Sequence, residues 1–309
     1  MSHPAASISS SDFTIFLQKM GFNRTFVHRA NVVWSAIRHD VFGWLRLTRI
    51  NRQLGTFYAL TGVRNMNPRV EGGVVSFDYL GRRLEFDTDG NAAAIAEVFT
   101  RGEYDPLLPS IQNCDVVDIG ASYGDSAVFF SLNGAGRVLA YEPYPATYAK
   151  AVSNVRRNDA QNVQVVNAGV GDTATIRLDA APIDTISLSM APSESGVDVP
   201  VYSLKQIVEA NHIDDACLKC DCEGHEYQIF LNSDRETLRK FKHMIIEYHP
   251  GDPASLESKL RDSGFAVAHD KAGLWAGIDL SDSAEVNRSS ADNPFVAIGL
   301  INALRIGPQ

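Results

Sequence analysis

The stretch Val116-Val117-Asp118-Ile119-Gly120-Ala121-Ser122-Tyr123-Gly124-Asp125-Ser126 runs from an apolar segment through small residues into a new apolar run. Val and Ile are stiff at their branched Cβ and fit a pleated, buried surface, so residues 116–119 read as a strand. Gly120 and Gly124 carry no Cβ, which lets the backbone bend sharply and lets a ligand approach it closely. The helix expected next begins with unpaired N–H groups. This pattern predicts a ligand pocket at the carboxyl end of a strand.

Outward from this turn, short apolar runs alternate with helical stretches, which signals an α/β domain with a mostly parallel sheet. Strands are predicted at Val116–Ile119, Arg137–Tyr141, Val163–Asn167, Ala216–Asp221 and Met244–Tyr248. Helices are predicted near 125–132, 145–157, 204–211 and 225–240. Ser203-Leu204-Lys205-Gln206 has the spacing of a capping box and sets a helix start before the fourth strand. Further strand-like runs at Phe265–His269, Leu274–Ile278 and Phe295–Ile301 suggest an antiparallel closing edge.

The first 90 residues read differently. Val33, Trp34, Ile37, Val41, Trp44 and Leu45 recur at the period of an amphipathic helix, so residues 12–60 are expected to be helical. Val74–Tyr79 and Arg82–Phe86 flank Gly81 as a β-hairpin. The expected organisation is a helical extension plus hairpin over 1–90 and a catalytic domain over 91–309.

Of the 309 residues 45% are hydrophobic and 21% charged, enough apolar surface for a substantial core. No stretch approaches a membrane span, and Met1 to Ser10 lacks the basic start and apolar run of a secretory signal, so a cytoplasmic home is expected. The net charge of -9 argues against general nucleic-acid binding. It conceals a basic leader: Lys19, Arg24, Arg29, Arg38, Arg46, Arg49 and Arg52 stand against the single acid Asp40. That segment is either a solvated helix face or a peripheral contact to an anionic membrane or a polyanionic substrate. The sequence leaves the oligomeric state open. Cys217, Cys220 and Cys222 do not form a spaced disulfide framework and are expected to be free thiols.

Asp118 makes the glycine turn unsuited to a dinucleotide, because a carboxylate there repels a pyrophosphate and Ser122 stands where the second glycine of that fingerprint belongs. The same carboxylate suits S-adenosylmethionine, which lacks phosphates and carries a sulfonium and an ammonium. Glu142 ends the second strand in Ala140-Tyr141-Glu142-Pro143, 22 residues past Gly120, where it can accept hydrogen bonds from ribose hydroxyls. After the third strand, Gly171-Asp172 is either an ordinary turn or a contact to the adenine amino group.

Strand alternation puts Lys219, Asp221 and Glu223 on one face and Cys220 and Cys222 on the other. Asp221 and Glu223 should therefore reach the pocket rim. Asp221, His225 or His249 could serve as a proton acceptor at that rim. An unperturbed histidine, with a pKa near 6.5, would suit proton removal at neutral pH. Asp221, Glu223, His225, Glu226, Glu247 and His249 offer ligands to Mg²⁺, but no metal is expected to be required. Zinc at the cysteines is disfavoured because Cys217 points away from the other two.

These motifs together resemble the FkbM-type methyltransferases. The resemblance runs from about Asn91 to His269. It rests on Gly102-Glu103-Tyr104, Asp118-Ile119-Gly120-Ala121-Ser122-Tyr123-Gly124, Glu142-Pro143, Gly171-Asp172, Leu218-Lys219-Cys220-Asp221-Cys222-Glu223-Gly224-His225-Glu226 and Ile246-Glu247-Tyr248-His249. It implies a class I methyltransferase sheet, S-adenosylmethionine as cofactor, and a hydroxyl acceptor on a sugar, lipid or natural product. Ser122 departs from the usual Asn, Cys220 and Cys222 from the usual aliphatics, and residues 1–90 lie outside the shared region.

The cofactor site expected on these grounds comprises Tyr104, Asp118, Gly120, Ala121, Ser122, Gly124, Ser126, Glu142, Pro143 and Asp172. Asp221, His249, Glu223 and His225 are the expected catalytic groups. The rival readings are a Rossmann-like binding module without catalysis and an NAD-dependent oxidoreductase, the latter opposed by the missing third glycine.

Overall fold

In the computed structural model, residues 24–88, 92–178, 196–270 and 299–307 are described. They fall into two compact units, Met1–Arg101 and Gly102–Gln309.

The first unit begins with three helices, α1 (Arg24–His39), α2 (Val41–Ile50) and α3 (Arg52–Val63). The breaks between them are chemical. Asp40 accepts the N–H groups of Phe42 and Gly43, and Asn51 accepts that of Gln53, so each opens a new helix. Strands β1 (Arg69–Glu71), β2 (Val74–Tyr79) and β3 (Arg82–Asp87) follow as an antiparallel sheet. The hairpin turns on Leu80 and Gly81, both at positive φ (48° and 74°), which matches the right-handed strand twist. Phe77 of β2 centres this core, packing against Phe57 of α3, Phe86 of β3 and Phe99 of helix α4 (Ala92–Thr100). The predicted helix over residues 12–23 lies outside the described residues.

The second unit is built on seven strands: β4 (Asp115–Ile119), β5 (Arg137–Tyr141), β6 (Val163–Val166), β10 (Ala216–Asp221), β11 (Phe241–Tyr248), β12 (Phe265–Asp270) and β13 (Gly299–Arg305). A smaller sheet holds β7 (Gly169–Val170), β8 (Thr175–Leu178) and β9 (Val197–Tyr202). Besides a short helical stretch, Asp105–Leu107 and Leu108–Ile111, ahead of β4, the unit's helices are α5 (Asp125–Leu132), α6 (Pro145–Arg157), α7 (Leu204–Asn211), α8 (Glu226–Asn232), α9 (Arg235–Leu238) and α10 (Pro253–Asp262).

Across the main sheet the order is β12-β13-β11-β10-β4-β5-β6. The β4–β5–β6 series grows one way and the β10–β11 series the other, so the order reverses between β4 and β10. A crevice opens at the carboxyl ends of strands where such a reversal occurs. This is the class I methyltransferase sheet that the resemblance implied. Its one reversed strand, β13, lies between β11 and β12 and runs antiparallel to both, one place in from the edge where it was expected.

One face of the sheet presents Val117, Ile119, Leu218, Cys220, Met244 and Ile246, packed against Ile207 and Val208 of α7, Ile229 and Phe230 of α8 and Leu256 and Leu260 of α10. Alternation sends Asp118 and Lys219, paired in register, to the other face. Ser203 forms the predicted capping box with Gln206 at the start of α7. The helix expected over 225–240 is two helices, because Asp234 accepts the N–H of Thr237 and starts α9 afresh. The last strand runs to Arg305 rather than Ile301, since its pairing partners continue to His243 and Phe265. The predicted strand at 274–278 lies outside the described residues.

Candidate active site

At the end of β4 the chain enters the turn through three residues at positive φ, Gly120 (76°), Ser122 (46°) and Gly124 (79°). The N–H groups of Gly120 and Ala121 both donate to the carbonyl of Tyr141, at 3.0 Å each, which ties the turn to the end of β5. A Cβ on Gly120 would fall 1.8 Å from the backbone carbonyl oxygen of Asp221. The glycine is required here by the neighbouring strand. Gly124 opens α5 and packs on α6, where its absent Cβ would meet the carbonyl of Ala151 at 3.2 Å.

Glu142 lies across this turn. Its carboxylate accepts the N–H of Ser122 at 3.0 Å and that of Tyr144 at 2.9 Å, and the residue is only 5% exposed. Burial pushes its pKa up to about 7, against the pull of those two donors and Lys219. Asn167, at the exit of β6, donates to the carbonyls of Glu142 and Pro143 and holds that bend.

Lys219 is the centre of the buried charge. Its ammonium lies 3.2 Å from Asp118 Oδ1, donates to the carbonyl of Gly120 at 2.6 Å, and faces the Tyr104 ring at 5.9 Å. The other oxygen of Asp118 accepts from Ser126 Oγ at 2.6 Å. Asp118 is thus fully buried, with its carboxylate engaged by Lys219 and Ser126. Tyr104 is likewise buried, packed against Phe129 and Phe130. Burial raises the pKa of Asp125, in the first turn of α5, to about 7, opposed by Lys219 and reinforced by Asp118 and Asp221. Burial would lower the pKa of Lys219, but Asp118 and Asp221 outweigh it and the ammonium is strongly retained. Asp118, Asp125 and Glu142 therefore share the Lys219 ammonium, which also faces Asp221. Buried carboxylates outnumber the cation here.

At the end of β10 stand Asp221, Glu223 and, after β11, His249. Glu223 takes a positive φ of 55° ahead of Gly224, an uncommon conformation for a side chain that large. Its Oε2 lies 3.2 Å from His249 Nε2, while Nδ1 of the same ring lies 3.3 Å from Oε1 of the fully buried Glu226. Glu226 also accepts the backbone N–H of His249 at 2.5 Å and that of Gly224 at 2.9 Å. Burial alone would lower the His249 pKa, yet Glu223, Glu226 and Asp221 together push it up to about 11. The surrounding carboxylates thus favour the protonated ring over the neutral, proton-accepting one. Burial raises the pKa of Asp221 despite Lys219 and His249. Among the described residues the Asp221 side chain has no hydrogen-bond partner.

Two predicted residues stand apart by contact. Asp172 is exposed and accepts from Gln228 and Asn232 of α8, which commits its carboxylate to that helix. His225 precedes α8, its pKa lowered by burial, and no described contact joins it to Asp221 or Glu223. Asp221, Glu223 and His249 could each offer one ligand atom to a metal ion, these atoms lying within 4.8 Å of one another. All four cysteines are free, and the sulfurs of Cys220 and Cys222 lie 3.5 Å apart.

Sequence reasoning gave no role to Lys219, Asn167 or Asp125. Lys219 did carry a signal, a charge inside an otherwise apolar strand.

Residues 118–267 match the family model described as the Methyltransferase FkbM domain. The chain is 26% identical to Methyltransferase sdnD of Sordaria araneosa, over 58% of this chain and 83% of that protein. It is 25% identical to Methyltransferase 1 of Beauveria bassiana (strain ARSEF 2860), over 60% of this chain and 84% of that protein. Among solved structures, M. jannaschii TYW2 in complex with AdoMet is similar at a TM-score of 0.37 and 12% identity, covering 77% of this chain and 89% of that one. That last likeness is too loose to bear on mechanism.

Proposed function

Since residues 118–267 match the family model described as the Methyltransferase FkbM domain, we propose that the protein transfers a methyl group from S-adenosylmethionine to a hydroxyl oxygen of a sugar, glycolipid or natural product. The observation that carries this reading is the buried surplus of carboxylate around Lys219. Glu142 and Asp125 have pKa values near 7 because burial disfavours their charge. A ligand with a sulfonium and an ammonium compensates such a surplus, whereas a pyrophosphate would be repelled by it.

In this reading Gly120, Ala121, Ser122 and Gly124 form the wall against the amino-acid part of the cofactor. Asp118 and Ser126 hold that wall in place through Lys219 and the start of α5. Glu142 receives ribose hydroxyls on the lone pairs its two backbone donors leave free, with Pro143 shaping the same bend. Tyr104 covers Lys219 with its ring. Asp172 is assigned to the adenine end, where binding would compete with the bonds it now accepts from α8. When bound, the cofactor supplies an electrophilic methyl on its sulfonium.

The chain's own residues supply a proton acceptor and a counter-charge. Asp221 is the proton acceptor, having a raised carboxylate pKa and no described hydrogen-bond donor. His249, held charged between Glu223 and Glu226, keeps Asp221 ionised enough to act. Glu223 positions that ring, and His225 completes the rim as the acceptor-side residue.

The test is calorimetry with S-adenosylmethionine, followed by S-adenosylhomocysteine release over a panel of sugars, glycolipids and polyketide alcohols. Asp221→Asn should lower turnover by about 10²–10⁴-fold with cofactor affinity nearly unchanged. Failure to bind the cofactor would end the proposal. Binding with no turnover on every acceptor would favour the non-catalytic module.

A further inference from the structure

Helix α2 carries an unusual outer stripe. Phe42 is 81% exposed, Ile50 73% and Leu45 42%. Arg46 and Arg49 are exposed too, and the spacing of these five positions puts all of them on one face of the helix. On α1, Ile37 is 59% and Val33 40% exposed, one turn apart, with Arg29 and Arg38 also exposed.

The charge around these side chains has one sign. Between Arg24 and Val63 the only acid is Asp40. Its carboxylate is spent capping α2 and accepting from Tyr58. None of Arg29, Arg38, Arg46, Arg49 and Arg52 forms an ion pair with a described residue.

We propose that the first unit docks on an anionic lipid surface, with Phe42, Leu45 and Ile50 of α2 entering the headgroup boundary and Arg46 and Arg49 meeting lipid phosphates. A large aromatic four-fifths exposed on a helix is costly in water and gains by entering an apolar medium. Guanidinium groups on the same stripe gain from the negative surface potential of an anionic leaflet. A second copy of the chain is a poor occupant, because a self-complementary contact would set arginine against arginine with no acid to separate them. Nucleic acid would satisfy the arginines and leave Phe42 and Ile50 in water. The inference does not depend on the methyl-transfer reading.

The experiment is co-sedimentation of the full chain with vesicles of phosphatidylcholine alone and of phosphatidylcholine with phosphatidylserine, at low and high salt. Binding should require phosphatidylserine and weaken with salt. The double variant F42S/I50S should lose about tenfold or more of it, and R46Q/R49Q a similar amount. Both pairs are solvent-exposed, so unchanged circular dichroism and melting would show that folding is intact. Equal binding of F42S/I50S and the parent chain would overturn the proposal. So would light scattering showing a dimer that the same variant dissolves, or oligonucleotide binding that outcompetes the vesicles.

Discussion

Lys219 and Asp118 face each other across β10 and β4 at 3.2 Å, with side-chain exposures of 3% and 0%. Removing one partner of such a pair leaves the other as an uncompensated buried charge. Lys219→Met is therefore expected to destabilise the fold by about 3–5 kcal/mol, read as the midpoint shift in urea unfolding. Lys219→Met with Asp118→Asn should recover part of that loss. A single variant as stable as the parent would show that the pair is energetically idle.

Gly120 is predicted to tolerate no side chain. Its φ of 76° disfavours any L-residue, and an added Cβ would overlap the Asp221 carbonyl at 1.8 Å. Gly120→Ala should cost at least about 1–2 kcal/mol and abolish cofactor binding, because the exit of β10 must move to make room. Differential scanning fluorimetry with and without S-adenosylmethionine reads both effects. A variant that keeps its ligand-induced shift would mean the β10 exit is not part of the pocket.

Glu142 and Asp125 are predicted to give the ligand-free protein a falling stability between mildly acidic and neutral pH. Their folded pKa values of about 7 lie above the ordinary 4.5 and 3.8, so the folded state holds extra protons in that interval. Stability is greatest below the unfolded values and is lost as pH rises toward 7. Cofactor affinity should move the opposite way, rising as these carboxylates ionise. Glu142→Gln should flatten both profiles, and titration calorimetry between about pH 5.5 and 8 would detect it, bracketing a pKa near 7. Affinity independent of pH would remove Glu142 from the cofactor site.

His249 is predicted to make divalent metal unnecessary. A cation at Asp221 and Glu223 would compete with the ring proton, which the surrounding carboxylates hold to about 11. Turnover should survive chelation by EDTA. His249 stabilisation is complete below the ordinary 6.5 and lost as pH climbs through about 11, so the parent chain should melt progressively lower in alkali while His249→Gln melts lower at neutral pH and varies less. Loss of activity in EDTA, restored by Mg²⁺, would reassign the three side chains to a metal.

How much of this was legible depends on whether the deciding partner is near in the chain. Ile119-Gly120 and Tyr141-Glu142 announce themselves by strand composition and spacing, and the structure joins them through the Ser122 N–H. The capping box at Ser203 is local and reads directly. The carboxylates around His249 were not legible, because Glu223 in the turn after β10 and Glu226 of α8 reach the ring only after β10 and β11 pair. The engagement of Asp118 by Lys219 was hidden for the same reason, since it spans about a hundred residues. The placement of β13 was equally hidden, since an apolar run states that it is a strand and not which neighbours it separates.

That placement has a consequence for synthesis. Among the described residues, strand β12 pairs with the rest of the main sheet only by way of residues 299–305. While the nascent polypeptide is shorter than that, β11 presents an open row of amide and carbonyl groups, and β12 has nowhere in the sheet to attach. A chain stalled or truncated before Gly299 would carry that adhesive border into the cell, a ready template for clumping with other copies.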